Sequence, residues 1–131
     1  MINNGKSNAT QRFQIVFFEK NDTECPVREF LDSLDDKMAA KISGLTHVLS
    51  EYGTELRMPY SRHLEDGIFE LRAKIGSNIT RTLYFFYVDK TIVMTNGFVK
   101  KTKKLPKKQI RLAKKYRKIY LARQEGTNDN I

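Results

Sequence analysis

The residues best suited to chemistry in this sequence are cations. Arg72 and Lys74 stand two apart in "FELRAKI", and Arg81 follows the turn Gly76-Ser77-Asn78 in "ITRTLYFF". Lys100, Lys101, Lys103 and Lys104 crowd into "GFVKKTKKLPKK", residues 97–108, which holds six lysines and no acid. Guanidinium and ammonium groups at this density hold polyanions and stabilise charge that grows on a phosphate. Other chemistries fall away. His47 and His63 lie far apart and Cys25 has no ligand type near it, so neither zinc spacing nor an orienting pair for a cysteine nucleophile is visible. There is no Gly-rich phosphate loop. Neither a metal nor a cofactor is expected.

For each cation the plain alternative is a solvated charge at a strand edge, and for Arg72 alone the two readings balance. As a set, with Tyr84 and Phe98 close in sequence, they favour a phosphate site. Strands must then bring them together. "IFELRAKI", residues 68–75, alternates cleanly: Ile68, Glu70, Arg72 and Lys74 share one face, and Phe69, Leu71, Ala73 and Ile75 the other. Residues 79–88 and 91–98 read as the next strands, joined at Asp89-Lys90, and residues 12–19 as an earlier one. Short turns between successive strands imply an antiparallel meander, in which Arg72 and Arg81 become neighbours.

Pro26 fits the first turn of a short helix carrying Val27, Phe30, Leu31 and Leu34. Asp35 or Asp36 caps a second, whose stripe is Met38, Ile42, Leu45, Leu49 and Tyr52, with Gly53 as its stop. His47 falls on the surface of that helix. Residues 54–67 read as a connection. A last helix over 106–123 sets Leu112, Ala113, Tyr116, Ile119 and Tyr120 on one arc and Lys107, Lys108, Arg111, Lys114, Lys115 and Lys118 on the other. The order β-α-α-β-β-β-α, with helices on one face of an antiparallel sheet, gives an α+β domain over 12–123. A disordered leader (1–11) and a flexible tail (124–131) flank it.

The 131 residues carry a net charge of +9, distributed unevenly. Residues 19–70 hold twelve acids and six bases, whereas residues 97–123 hold twelve bases and no acid. Such asymmetry marks a nucleic-acid-binding protein or one with an acidic partner. No apolar run reaches membrane-spanning length, the first residues do not form a signal peptide, and one cysteine suits a reducing compartment. A soluble cytoplasmic protein is expected.

In order and spacing, "PVREFLDSL", "HLEDGIFELR", "ITRTLYFF" and "NGFVKKTKKLP" resemble the phage Gp49-like branch of the RelE/ParE toxin superfamily, which includes HigB-type toxins. The resemblance covers roughly residues 12–122 and is most specific in "GIFELR" and "GFVKKTKKLP". It implies a RelE-like fold and the toxin of a type II toxin–antitoxin pair. The implied activity is ribosome-dependent cleavage of mRNA without metal, the RNA's own 2′-OH attacking the adjacent phosphate. It implies that Arg81 binds the scissile phosphate, with Arg72 on the neighbouring strand and Lys100 and Lys101 stabilising charge or donating a proton. Lys74, Lys103, Lys104, Lys107, Lys108, Arg111, Lys114, Lys115 and Lys118 would hold RNA. Some relatives use a histidine or terminal tyrosine as acid or base. Here no histidine follows His63, which is either that group or a plain loop residue. The implied partners are the ribosome, mRNA and a HigA-like helix-turn-helix antitoxin. Two other functions share the fold or the charge: a ParE-like poison of DNA gyrase and a non-catalytic nucleic-acid-binding module.

Overall fold

A computed structural model describes residues 12–129 of the chain. The leader at 1–11 and the last two residues of the expected tail lie outside the described residues. The elements are β1 (Gln14–Phe17), α1 (Pro26–Asp32), α2 (Asp36–Tyr52), a 3₁₀ turn (Gly53–Glu55), β2 (Ser61–Glu65), β3 (Ile68–Ile75), β4 (Asn78–Tyr87), β5 (Thr91–Val99) and α3 (Lys107–Asp129).

Local signals set the helices. Pro26 opens α1. Asp35 caps α2, accepting from the Met38 N–H at 2.8 Å. Gly53 ends α2 at φ +54, where a Cβ would also lie 2.0 Å from the Phe13 ring. Asp89 and Lys90 both take positive φ, the conformation a two-residue hairpin needs. The helix α3 continues to Asp129 instead of stopping at Arg123.

The sheet is mixed, not antiparallel, and has five strands in the order β1-β5-β4-β3-β2. Two features account for the difference. The expected connection at 54–67 contains β2, an edge strand paired only with β3, whose "SRHLE" lacks the apolar run of a covered strand. And β1 lies parallel beside β5, from Gln14↔Thr91 to Phe17↔Met94. That pairing joins strands distant in sequence and leaves no local mark.

The helices cover both faces, not one. On the first face Val27 of α1 and Leu49 of α2 pack against Leu71, Tyr84, Ile92 and Met94. On the other, Ile110, Ala113 and Tyr116 of α3 pack against Ile68, Leu83, Phe85 and Val93. Between β4 and β5 a bulge leaves Thr95 without a partner in the ladder: Leu83 pairs with Asn96, but Tyr84 with Met94. The bulge resets the alternation, so Asn96 and Phe98 follow Val93 onto the α3 face. Gly97 turns the other way, where a Cβ would meet the Phe30 ring of α1 at 2.3 Å.

Candidate active site

Past the apolar part of the α3 face, the strands carry charge. Arg62 stands opposite Glu70, Arg72 opposite Arg81, and Arg81 opposite Phe98. Residues paired across a ladder share a face, so all of these project toward α3. At the centre lies Glu70, wholly buried. Its Oε1 is 3.1 Å from Arg81 Nε. Its Oε2 accepts from Arg62 Nε at 3.1 Å and lies 3.7 Å from Arg72 Nη1.

One carboxylate thus gathers three guanidiniums. The Arg81–Glu70 contact is an ion pair without hydrogen-bond alignment, because neither Nε nor Oε1 has a hydrogen-bond partner. The Arg81 side chain is 2% exposed, Arg72 18% and Arg62 42%, so the cations rise in steps from the core to the surface. Burial pushes the Arg81 pKa down and Glu70 opposes it, while Arg72 and Arg62 push the same way as burial. Arginine remains charged through such shifts. A buried ion of this kind is stable only while its partner is present.

Counted by charge, three arginines against one carboxylate leave an excess of positive charge, and Arg81 borders an open cleft of about 850 Å³. Arg81 forms part of its floor, Phe98 and Lys100 its wall, and Lys101, Lys104, Lys108 and Gln109 its rim. The backbone of Lys100 extends the β5 ladder by donating to Ile79 O at 2.8 Å. The Lys100 pKa is lowered, by burial first, then by Arg81 and Arg72, with Glu70 opposing. Asn96 fixes α3 to the sheet here, its Nδ2 donating to Gln109 Oε1 at 3.0 Å and Gln109 O at 3.3 Å. The arrangement suits a phosphate: a rigid guanidinium below, a lysine that releases its proton more readily than usual at the side, and long-stemmed lysines around the mouth.

The structure therefore brings Arg81, Lys100 and Lys101 to one cleft, with Arg72 paired to Arg81 on the neighbouring strand and outside the cleft's lining. Lys104 and Lys108 share its rim, and Lys101 and Lys103 line an adjoining hollow of about 210 Å³. Lys107 flanks a third hollow with Lys104 and Lys108. Lys74 is exposed beyond Arg72, and Arg111, Lys115 and Lys118 are exposed along α3. Lys114 is different. Its Nζ sits 2.6 Å from Glu65 Oε2 and 2.7 Å from Asp66 Oδ2, which raises its pKa and lowers that of Asp66. It ties α3 to the β2–β3 turn, as does Arg117 by donating to Asp66 O at 2.6 Å.

Tyr84 does not join the site. It is buried on the α1–α2 face and hydrogen-bonded to Ser61, and burial pushes its pKa to about 12. His63 lies on that face too, its Nε2 accepting from the Gly67 N–H at 3.1 Å and its ring edge-on to Phe69 at 5.0 Å. His47 is exposed on α2, as expected. Tyr116 stacks on Phe18 within the core. Sequence reasoning missed Arg62 and Glu70. The signal for Glu70 was present, since it alternates in phase with Arg72, but the sign of its charge drew attention away.

A second cleft, of about 540 Å³, lies between β1, α1 and α2 and includes Cys25. Its single cation, Arg28, is stacked over Phe17 at 5.1 Å, so it lacks the convergent charge of the first. Among the described residues no group of His, Cys, Asp or Glu is arranged to hold a metal ion, and no helix is long and apolar enough to cross a membrane.

Residues 29–118 match the family model of the phage-derived Gp49-like proteins (DUF891), which is well over half of the chain. No curated protein matches it.

Proposed function

The chain belongs to the Gp49-like family of phage-derived proteins, a RelE-like toxin branch, and from that premise we propose that it is the toxin of a type II toxin–antitoxin pair that cleaves mRNA on the ribosome. The observation that carries the proposal is the buried Glu70 with its three arginines, opening beside Lys100 into a cation-rimmed cleft. In the reaction the ribose 2′-hydroxyl gives its proton to solvent water as its oxygen attacks the adjacent phosphorus, and the bond to the 5′-oxygen breaks, giving a 2′,3′-cyclic phosphate and, once that oxygen is protonated, a 5′-hydroxyl. No protein nucleophile or metal is required. Arg72 and Arg81 stabilise the charge on the five-coordinate phosphorus. Lys100, its proton loosened by burial and its cationic neighbours, gives that proton to the leaving oxygen. Lys101, next to Lys100 in the cleft's lining, adds charge beside the scissile phosphate. The exposed lysines and Arg111 of 103–118 hold ribosomal or messenger RNA, and an acidic helix-turn-helix antitoxin would cover the same surface.

A reconstituted translation system tests this. Wild-type protein should cut message in phase with the codons, and Lys101→Ala should lose most of the cutting. Lys108→Ala should bind more weakly and cut normally once bound. Intact message with wild-type protein overturns the proposal; DNA damage with translation initially intact would identify a gyrase poison instead.

A further inference from the structure

A single transverse row crosses β3, β4 and β5 on the α3 face. Arg72 pairs with Arg81, and Arg81 with Phe98. Tyr60, in the turn just before β2, continues the row beyond Arg72. The register Ser61↔Leu71 and Arg62↔Glu70 extends to place it opposite Arg72, whose N–H donates to Tyr60 O at 2.7 Å. From edge to centre the row reads Tyr-Arg-Arg-Phe. With strands about 4.8 Å apart, its two aromatics stand about 14 Å apart.

Those aromatics are not equally committed to packing. Phe98 is half-buried, packed against the α3 core and lining the cleft. Tyr60 is 48% exposed, and its side chain has no hydrogen bond or ring contact among the described residues. Its backbone is held at both ends, N–H to Arg57 O at 3.0 Å and O to Arg72. The anchor is fixed and the ring is unused. Exposed aromatics beside phosphate-binding cations on a sheet surface are how proteins grip unstacked bases of single-stranded RNA.

We propose that Tyr60 and Phe98 stack the two bases flanking the phosphate held by Arg72 and Arg81, so that the row is a dinucleotide cradle. This rests on the RNA-cleavage reading and adds its positioning device. In a helical stack the 2′-oxygen, phosphorus and 5′-oxygen are not in line. Drawing the two bases apart, one to each end of the row, lets the backbone between them reach that alignment.

The test uses a short single-stranded RNA made uncleavable by one 2′-deoxynucleotide, with 2-aminopurine on each side of the protected phosphate. Wild type and Tyr60→Phe should quench the fluorescence and bind alike. Tyr60→Ala should lose much of the quench and bind about five- to a hundredfold more weakly, the range for one base–aromatic stack. Replacing the aminopurines by abasic nucleotides should abolish the difference between wild type and Tyr60→Ala. Thermal melting of each variant separates a folding defect from a binding one, since Tyr60 is outside the core. Unchanged quench and affinity in Tyr60→Ala, a loss in Tyr60→Phe equal to that in Tyr60→Ala, or no quench with wild type would each overturn the cradle. Because this readout needs no cleavage, failure of the cradle and failure of the ribonuclease reading are seen separately.

Discussion

Glu70 has no access to water and faces three guanidiniums, which fixes what each neighbour loses on substitution. Glu70→Ala should destabilise the fold by about 3–5 kcal/mol, read from urea unfolding, because Arg81 would stay buried without its counter-ion. Arg62→Ala should cost well under that, about 0–1 kcal/mol, since its side chain is 42% exposed. The same cluster controls Lys100. If the protonated lysine donates to the leaving oxygen, kcat falls as pH rises through its pKa, and that falling limb lies below the range of an ordinary lysine. Arg72→Gln removes a like charge, so the limb should move to higher pH. Glu70→Gln removes an opposite charge, so it should move to lower pH. Single-turnover rates against pH would show both, and a limb that moves in neither variant would rule Lys100 out as the donor. At this scale the sequence was readable for cations and not for their counter-ion. The alternation of 68–75 placed Arg72 and Glu70 on one face, yet nothing local showed that Arg81 would be buried against that carboxylate.

Elements carry the site by controlling which residues face α3. The strands β3, β4 and β5 and the helices α1 and α2 were legible because each is covered on at least one face and shows its period in apolar residues. The strand β2 was not legible, since an edge strand needs no apolar run, and so Arg62 and the end of the Tyr60 row were invisible with it. The bulge at Thr95 was equally hidden, although it decides that Asn96 and Phe98, not Thr95 and Gly97, meet α3. Two glycines test this packing in opposite directions. Gly97→Ala should destabilise by about 1–3 kcal/mol, as its Cβ would press on the Phe30 ring from 2.3 Å. Gly44, within α2, has open space where a Cβ would stand, with nothing within 4 Å, so Gly44→Ala should stabilise by up to about 1 kcal/mol. Denaturant midpoints of the two variants, moving apart from wild type, would confirm both.

Across the whole molecule the uneven charge resolves into distinct tasks. Lys114 and Arg117 pin α3 to the β2–β3 turn, whereas Arg111, Lys115 and Lys118 remain exposed along α3. Composition revealed the basic half but not this division, because the acids that bind Lys114 lie in a turn far away in sequence. RNA affinity should fall steeply with salt, and Lys108→Ala should flatten the log–log slope by about 0.7, the share of one released counter-ion on a single strand. An unchanged slope would remove Lys108 from the RNA surface. The central claim, that the cleft at Arg81 and Glu70 turns the RNA's own 2′-hydroxyl on its phosphate, is tested most directly by one substitution in the substrate. In translating ribosomes, wild-type protein should cut an all-ribose message at a defined bond of the codon being read and leave a 2′,3′-cyclic phosphate. The same message with deoxyribose on the 5′ side of that bond should stay intact there. Cleavage of the deoxy message at that bond would contradict the claim.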